Sequence, residues 1–366
     1  MADGTSRRNV KRVNLALQGG GAHGAFTWGV LDRILEDPRL EIDSITGASA
    51  GAMNAVVLAE GLSKGGKEGA RAHLTEFWHR VGKAARKSPI QRTFFDKWSG
   101  NWSLDNSPAY IFLDIMSRVA SPYDTNPLDM NPLRDILDGM VDFEAICNCE
   151  KTPLFISATN VETGMVKVFH QHELTVDHIM ASACLPHMFK AVNIDGVPYW
   201  DGGYVGNPPL FPLFDNAESD DVIIVQINPI TRPGEPRTAR DILNRMNEIT
   251  FNASLMRELR AVDFVTRLME DGRLEGTGYR RVVAHMIGDE HTLSALGSSS
   301  KMNAETAFLE MLFTKGRTAG EKWLDRHYKD IGKRTTIDFK SMFAGERDPL
   351  DGARITRKAN YEKTKS

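Results

Sequence analysis

Short unbroken apolar runs alternate along the chain with longer stretches whose apolar residues recur at helical spacing. Residues 12–18, RVNLALQ, read as a buried strand, and a glycine-rich turn then leads into a helix at 26–35. A second strand is expected at 41–47 (EIDSITG), followed by a helix at 52–62 built largely from small residues. Residues 152–160 (TPLFISATN) predict a third strand, with 164–170 (GMVKVFH) pairing beside it. Residues 191–203 predict a hairpin turning at Asp195-Gly196, and 221–228 (DVIIVQIN) form another continuous apolar run. Residues 280–288 predict a late strand and 303–330 further helix. Strand–helix–strand–helix order with apolar strands implies an α/β fold whose strands are mainly parallel and joined by crossover helices.

Two segments depart from this rhythm. Residues 63–150 carry an aromatic stretch (Phe94, Phe95, Trp98, Trp102) and then SPYDTNPLDMNPL, rich in turn formers, and are expected to form an insertion lying over the sheet. Beyond residue 237, apolar positions at Ile242, Met246, Ile249, Leu255, Leu259 and Leu268 predict an amphipathic helix broken near Asn252. Residues 346–366 are polar and basic and are expected to fray.

Composition narrows the function classes. A 366-residue chain with 41% hydrophobic and 25% charged residues is ordinary for a globular protein that buries a large core. A net charge of -3 offers no basic field for nucleic acid, so none is expected as a partner. No apolar run approaches membrane-spanning length, and the apolar run after the basic N-terminus is too short for a secretory signal. The expectation is a cytoplasmic protein that can visit a membrane peripherally. Cys147 and Cys149 stand in a C-x-C spacing that suits neither zinc nor a redox pair, and Cys184 stands alone. Free thiols in a reducing compartment are the reading.

The glycine turn poses the chemical question. Gly19, Gly21 and Gly24 fit G-x-G-x-x-G, which cradles a dinucleotide phosphate when an acid ends the following strand. That strand ends instead in Gly47-Ala48-Ser49-Ala50-Gly51, the G-x-S-x-G spacing of a nucleophilic serine on a strand-to-helix turn. Attack by a serine on an ester creates an oxyanion, and backbone N–H groups of the 19–24 loop (Gly19, Gly20, Gly21, Ala22, Gly24) on the neighbouring strand tip could stabilise it. The serine needs a base. Asp201, ending a hairpin strand and followed by Gly202 and Gly203, occupies a strand tip; His285 and His291 do not.

GGGAHG (19–24), GASAG (47–51) and DGG (201–203), in that order, resemble the bacterial branch of the patatin-like phospholipases. The resemblance covers about residues 13–215. It implies a three-layer α/β/α fold, Ser49 as nucleophile, Asp201 as base in a Ser–Asp dyad, and the 19–24 loop as oxyanion hole. It further implies a catalytic domain at 13–215 containing the 63–150 cap, with 216–345 as a C-terminal extension packed on it. No metal or cofactor is needed, and the partner is a lipid or membrane surface presenting the ester. One departure is His23, where that family often has Arg or Lys. The acyl donor could be a phospholipid, a neutral lipid or a storage polyester. A nucleotide-binding oxidoreductase and a catalytically silent lipid-binding module are the rivals from other classes.

Overall fold

A computed structural model describes residues 10–148 and 151–344, so Cys149 and the 346–366 tail lie outside the described residues. Eight strands form one mixed sheet: β1 (Lys11–Leu17), β2 (Leu40–Gly47), β3 (Leu154–Asn160), β4 (Val166–His170), β5 (Val192–Ile194), β6 (Val197–Asp201), β7 (Asp221–Val225) and β8 (Val283–Ile287). The order is β5-β6-β3-β2-β1-β7-β8, with β4 also on β3. The neighbours from β3 through β8 pair in parallel, whereas β4, β5 and β6 join antiparallel. The helices that position the site are α1 (Gly24–Glu36), α2 (Ala50–Ala85), α3 (Phe94–Ser99), α4 (Pro108–Val119), α5 (Val176–Ser182), α6 (Ala239–Glu270) and α7 (Thr306–His327).

Strand alternation explains the three layers. Leu15, Leu17, Ile223 and Val225 point to one face, where they meet Phe26 and Leu31 of α1, Val56 of α2 and Phe308 of α7. Their neighbours Ala16, Val222 and Ile224 point to the other, against Leu255, Leu259 and Val262 of α6. A strand buried on both faces has no polar side to show, which is why Leu15–Leu17 and Val222–Val225 are continuously apolar. At the hairpin, Asp195 (φ 53°) and Gly196 (φ 85°) both adopt the left-handed conformation of a tight two-residue turn.

Two expectations fail. The helix expected to end at residue 62 continues to Ala85, kinking at Gly65 and Gly66. Its second half buries Ala70, Leu74, Phe77, Trp78 and Val81, so the first part of the segment read as an insertion belongs to the core. The helix expected to break near Asn252 is continuous from Ala239 to Glu270. Asn252 is buried, and its amide hydrogen bonds to Gln18 and to the carbonyls of Asn228 and Pro229. With its polar group bonded across to the sheet, Asn252 does not compete for the helix backbone.

The aromatic stretch divides. Trp102 is packed, its ring 5.2 Å from that of Phe308 and capped by the Arg92 guanidinium at 4.0 Å. Phe94, Phe95 and Trp98 of α3 are exposed, and α4 buries none of its residues. No helix among the described residues is long and apolar enough to cross a membrane.

Candidate active site

Ser49 stands between β2 and α2 with φ 52° and ψ -121°, a conformation an L-residue holds only under strain of about 1–3 kcal/mol. The surroundings enforce it. The Ala48 N–H bonds to the Leu17 carbonyl, the Ser49 N–H bonds to Ser182 Oγ at 2.8 Å, and the Ser49 carbonyl accepts from Met53. Gly47 and Gly51 face each other across the turn, and Gly51 lies against the Leu17 carbonyl. Only 8% of Ser49 is exposed, and α2 begins at the next residue, placing its positive dipole end beside the serine.

The glycine loop touches this turn directly. A Cβ on Gly19 would lie 2.7 Å from the Ser49 Cβ and 2.8 Å from the Ala48 carbonyl, so only glycine permits the approach. Gly19 does not offer its own N–H, which donates to Asn207 Oδ1 at 2.7 Å. The N–H groups of Gly20 and Gly21 have no hydrogen-bond partner among the described residues. Gly21 takes φ 59° and opens a short helical turn with Ala22, after which Gly24 begins α1 against Ala50.

Asp201 reaches the serine through β3. Strand β4 runs along one edge of β3, so β2 and β6 share the other. Gly47 pairs with Ile156, and Asp201 pairs with Ala158 two residues further on. Two residues of strand span roughly 7 Å, so β3 brings the tips of two non-adjacent segments end to end. The Asp201 N–H bonds to the Cys184 carbonyl, its carbonyl accepts from Thr159 Oγ1, and its Oδ1 accepts from the Gly203 N–H at 2.7 Å. Gly202 lies against the Ser157 carbonyl, and Gly203 against Phe251.

Asp201 is 1% exposed, and its buried Oδ2 has no hydrogen bond of ordinary geometry among the described residues. Burial pushes its carboxyl up to about 6, against the smaller opposing pulls of the Gly203 N–H, the nearby Ser49 hydroxyl and the Lys301 ammonium. A carboxylate with that proton affinity and a vacant lone pair beside a strained serine is equipped to accept a proton near neutral pH. His285 does not approach the serine: its ring is fully buried and bonds to Thr336 and to Asp221 at the start of β7, the end of the sheet opposite the serine turn. His291 sits on a short helix after β8. A cavity of about 420 Å³ lined by Phe214, Val262, Val265, Tyr279 and Arg280 also lies toward that opposite end.

Residues 15–214 match the family described as Patatin-like phospholipase, more than half of the chain. The chain belongs to the patatin-like phospholipase family. Among curated patatin-like relatives it is 28% identical over 253 residues to a cGAMP-activated phospholipase of Escherichia coli (strain TW11681), covering 59% of this chain and 61% of that one. It is 28% identical over 228 residues to a cGAMP-activated phospholipase of Vibrio cholerae serotype O1, covering 56% and 57%. The match thus spans about three fifths of the length of these relatives. The crystal structure of VipD from Legionella pneumophila aligns over 87% of this chain and 67% of its own, at 15% identity and a TM-score of 0.39.

His23, the departure from the patatin-like pattern, is no cation here. Its Nε2 meets Ser300 Oγ at 2.8 Å, its buried Nδ1 has no partner among the described residues, and burial, then Lys301, pull it down to about 3. Sequence reasoning missed the polar frame behind the patatin-like loop. Gln18 Oε1 accepts from the N–H groups of Ile227 and Asn228, and Asn228 Nδ2 donates to the Gly19 carbonyl at 2.8 Å. Asn207 clamps Gly19 from the other side. The available signal was polar residues at the ends of otherwise apolar strands: Gln18 after β1, and Gln226 and Asn228 after β7.

Proposed function

We propose that the protein is a serine lipid acyl hydrolase that cleaves carboxyl esters, phospholipids first among them, through an acyl–Ser49 intermediate. The observation that carries this is the strained, glycine-flanked Ser49 whose hydroxyl acts on the buried Asp201 carboxyl, the Oδ2 of which has no other hydrogen-bond partner among the described residues. Ser49 Oγ attacks the ester carbonyl while its proton passes to Asp201. The N–H groups of Gly20 and Gly21 receive the oxyanion; a donor so placed is worth roughly 2.7–4 kcal/mol. The tetrahedral centre collapses, and the departing alcohol takes the proton from Asp201. Water, deprotonated by Asp201, then attacks the acyl–Ser49 carbonyl, and the carboxylic acid leaves as Ser49 regains its proton. The chemistry uses no metal or cofactor.

A lipid surface as the source of substrate is supported by the apolar rim. Trp98 is 82% exposed, Leu128 80% and Phe94 77%, and Phe112, Val119 and Met130 project nearby in sequence. Exposed apolar surface on this scale marks an interaction site, and tryptophan suits the headgroup layer. The rim connects to the site. Arg240 at the start of α6 pairs with Asp105 just before α4, and Asn244 bonds to Ser298. Lys190 reaches the Pro127 carbonyl from the loop after Cys184, whose carbonyl holds Asp201.

Labelling with a fluorophosphonate and hydrolysis of a lipid panel test the reading. Ser49→Ala should abolish labelling and lower turnover by on the order of 10³-fold or more, and Asp201→Asn should be nearly as inactive. Wild-type turnover in a folded Ser49→Ala variant would overturn the reading.

A further inference from the structure

Lys301 is a charged residue the mechanism above leaves unused. It sits in the short helical turn Ser298–Met302, more than 250 residues from the glycine loop in sequence yet packed on it. Its carbonyl oxygen stands where a Cβ on Gly21 would be, and its neighbour Ser300 holds His23. The ammonium bonds to Asn228 Oδ1 at 2.8 Å and Asn247 Oδ1 at 2.9 Å, and stands 5.0 Å from the Phe251 ring centre. Both asparagine partners are neutral, and Lys301 makes no ion pair with a carboxylate among the described residues. Part of the residue reaches solvent, but protein surrounds the ammonium.

An ammonium taken from water without a carboxylate against it costs free energy, and a fold retains it where the charge is used. The charged groups facing it are few. Glu248 looks toward it from α6 but is occupied by Arg232 and Arg245, and the other is Asp201. Its partner Asn228 also bonds the Gly19 carbonyl, so the same contact ties the charge to the loop. We propose that Lys301 is a positioning residue of the active site, its ammonium clamped by Asn228 and Asn247 behind the glycine loop, where its charge supports ionised Asp201 and the oxyanion. The proposal rests on the Ser49–Asp201 reading.

The pH profile separates this from simple packing. Burial pulls Lys301 down to about 8, while Cys184 and Tyr204, which face Asp201, are raised to about 12 and His23 lies near 3. Wild-type kcat/KM on a soluble short-chain ester should therefore rise with Asp201 near pH 6 and fall as Lys301 loses its proton near pH 8. Lys301→Met should lower kcat roughly tenfold or more, erase the alkaline fall and move the acidic limb upward, because Asp201 loses a supporting cation. Lys301→Arg, permanently charged, should keep the acidic limb and lose the alkaline fall.

The same fluorophosphonate, titrated at neutral pH on wild type, Ser49→Ala and both Lys301 variants, keeps the two ideas apart. Slowed but Ser49-dependent labelling in Lys301→Met supports the proposal. An unchanged alkaline limb in either folded variant overturns it, as does equal loss in both with wild-type limbs. Labelling that survives Ser49→Ala overturns the underlying reading instead. Should Lys301→Met not fold, the alkaline limb of Lys301→Arg decides.

Discussion

Asp201→Asn should make the protein more stable near neutral pH while inactivating it. The wild-type carboxyl is raised from 3.8 to about 6 by burial, a change of roughly two units and therefore about 3 kcal/mol of differential stability between its two protonation states. The sign follows from proton counting. Between about pH 4 and pH 6 the unfolded chain has released this proton and the folded chain still holds it, so stability falls as pH rises through that window. Below it both states are protonated and the cost is absent; above it the full cost is present. Asparagine mimics the protonated form, since its carbonyl oxygen can still accept the Gly203 N–H that Asp201 Oδ1 holds at 2.7 Å. Urea unfolding of both proteins from about pH 4 to pH 7 measures the difference. The variant should gain on wild type by about 3 kcal/mol across that range. Lys301 stays largely protonated throughout and does not titrate in the window. If the two proteins change in parallel with pH, Asp201 does not carry a raised pKa, and the acidic limb of catalysis belongs to another group.

Within the glycine loop, Gly21→Ala should lower kcat more than Gly20→Ala, with KM little changed in either. Gly21 has φ 59° and abuts the Lys301 carbonyl, while an added methyl at Gly20 crowds the movable end of Ile227 and meets Asn228 Oδ1 at ordinary contact distance. A loss confined to KM would argue for ground-state binding instead. On the surface, Phe94→Ala with Trp98→Ala should weaken vesicle binding and vesicle hydrolysis while leaving a soluble ester nearly untouched, because both side chains are exposed. Trp102→Ala should instead cost on the order of 2 kcal/mol of stability, seen as a lower urea midpoint, because its ring packs on Phe308.

Strand β7 was legible in the sequence because burial on both faces leaves a continuous apolar run, and β1, β2 and β3 were legible as short apolar-rich segments set between turn or helix signals. The serine turn and the Asp201 tip were legible because crowded backbone demands glycine nearby. Helix continuity was not. The helix expected to end at residue 62 instead kinks at Gly65 and Gly66 and resumes against the core. Asn252 reads as a helix interruption, yet its amide is spent on Gln18 and the β7 loop. In both cases a local propensity was overridden by tertiary contacts that no local window contains.

The polar frame around the loop was illegible for a related reason. Gln18, Asn207, Asn228, Asn247 and Lys301 come from five separate segments and share no spacing, so each alone reads as an ordinary turn or surface residue. Only the sheet order brings β1 beside β7 and so sets Gln18 against Asn228. These residues make up or stand beside the costly features of the molecule: a strained Ser49, a buried carboxyl and an ammonium with no carboxylate partner among the described residues. Strain, carboxyl burial and an ammonium without a carboxylate each cost free energy of folding. The surrounding hydrogen bonds hold these groups in place, and the apolar layers on both faces of the sheet supply the rigidity to do so. A sequence pattern driven by burial therefore points most clearly to the scaffold, and least clearly to the groups that the scaffold holds away from their own lowest free energy.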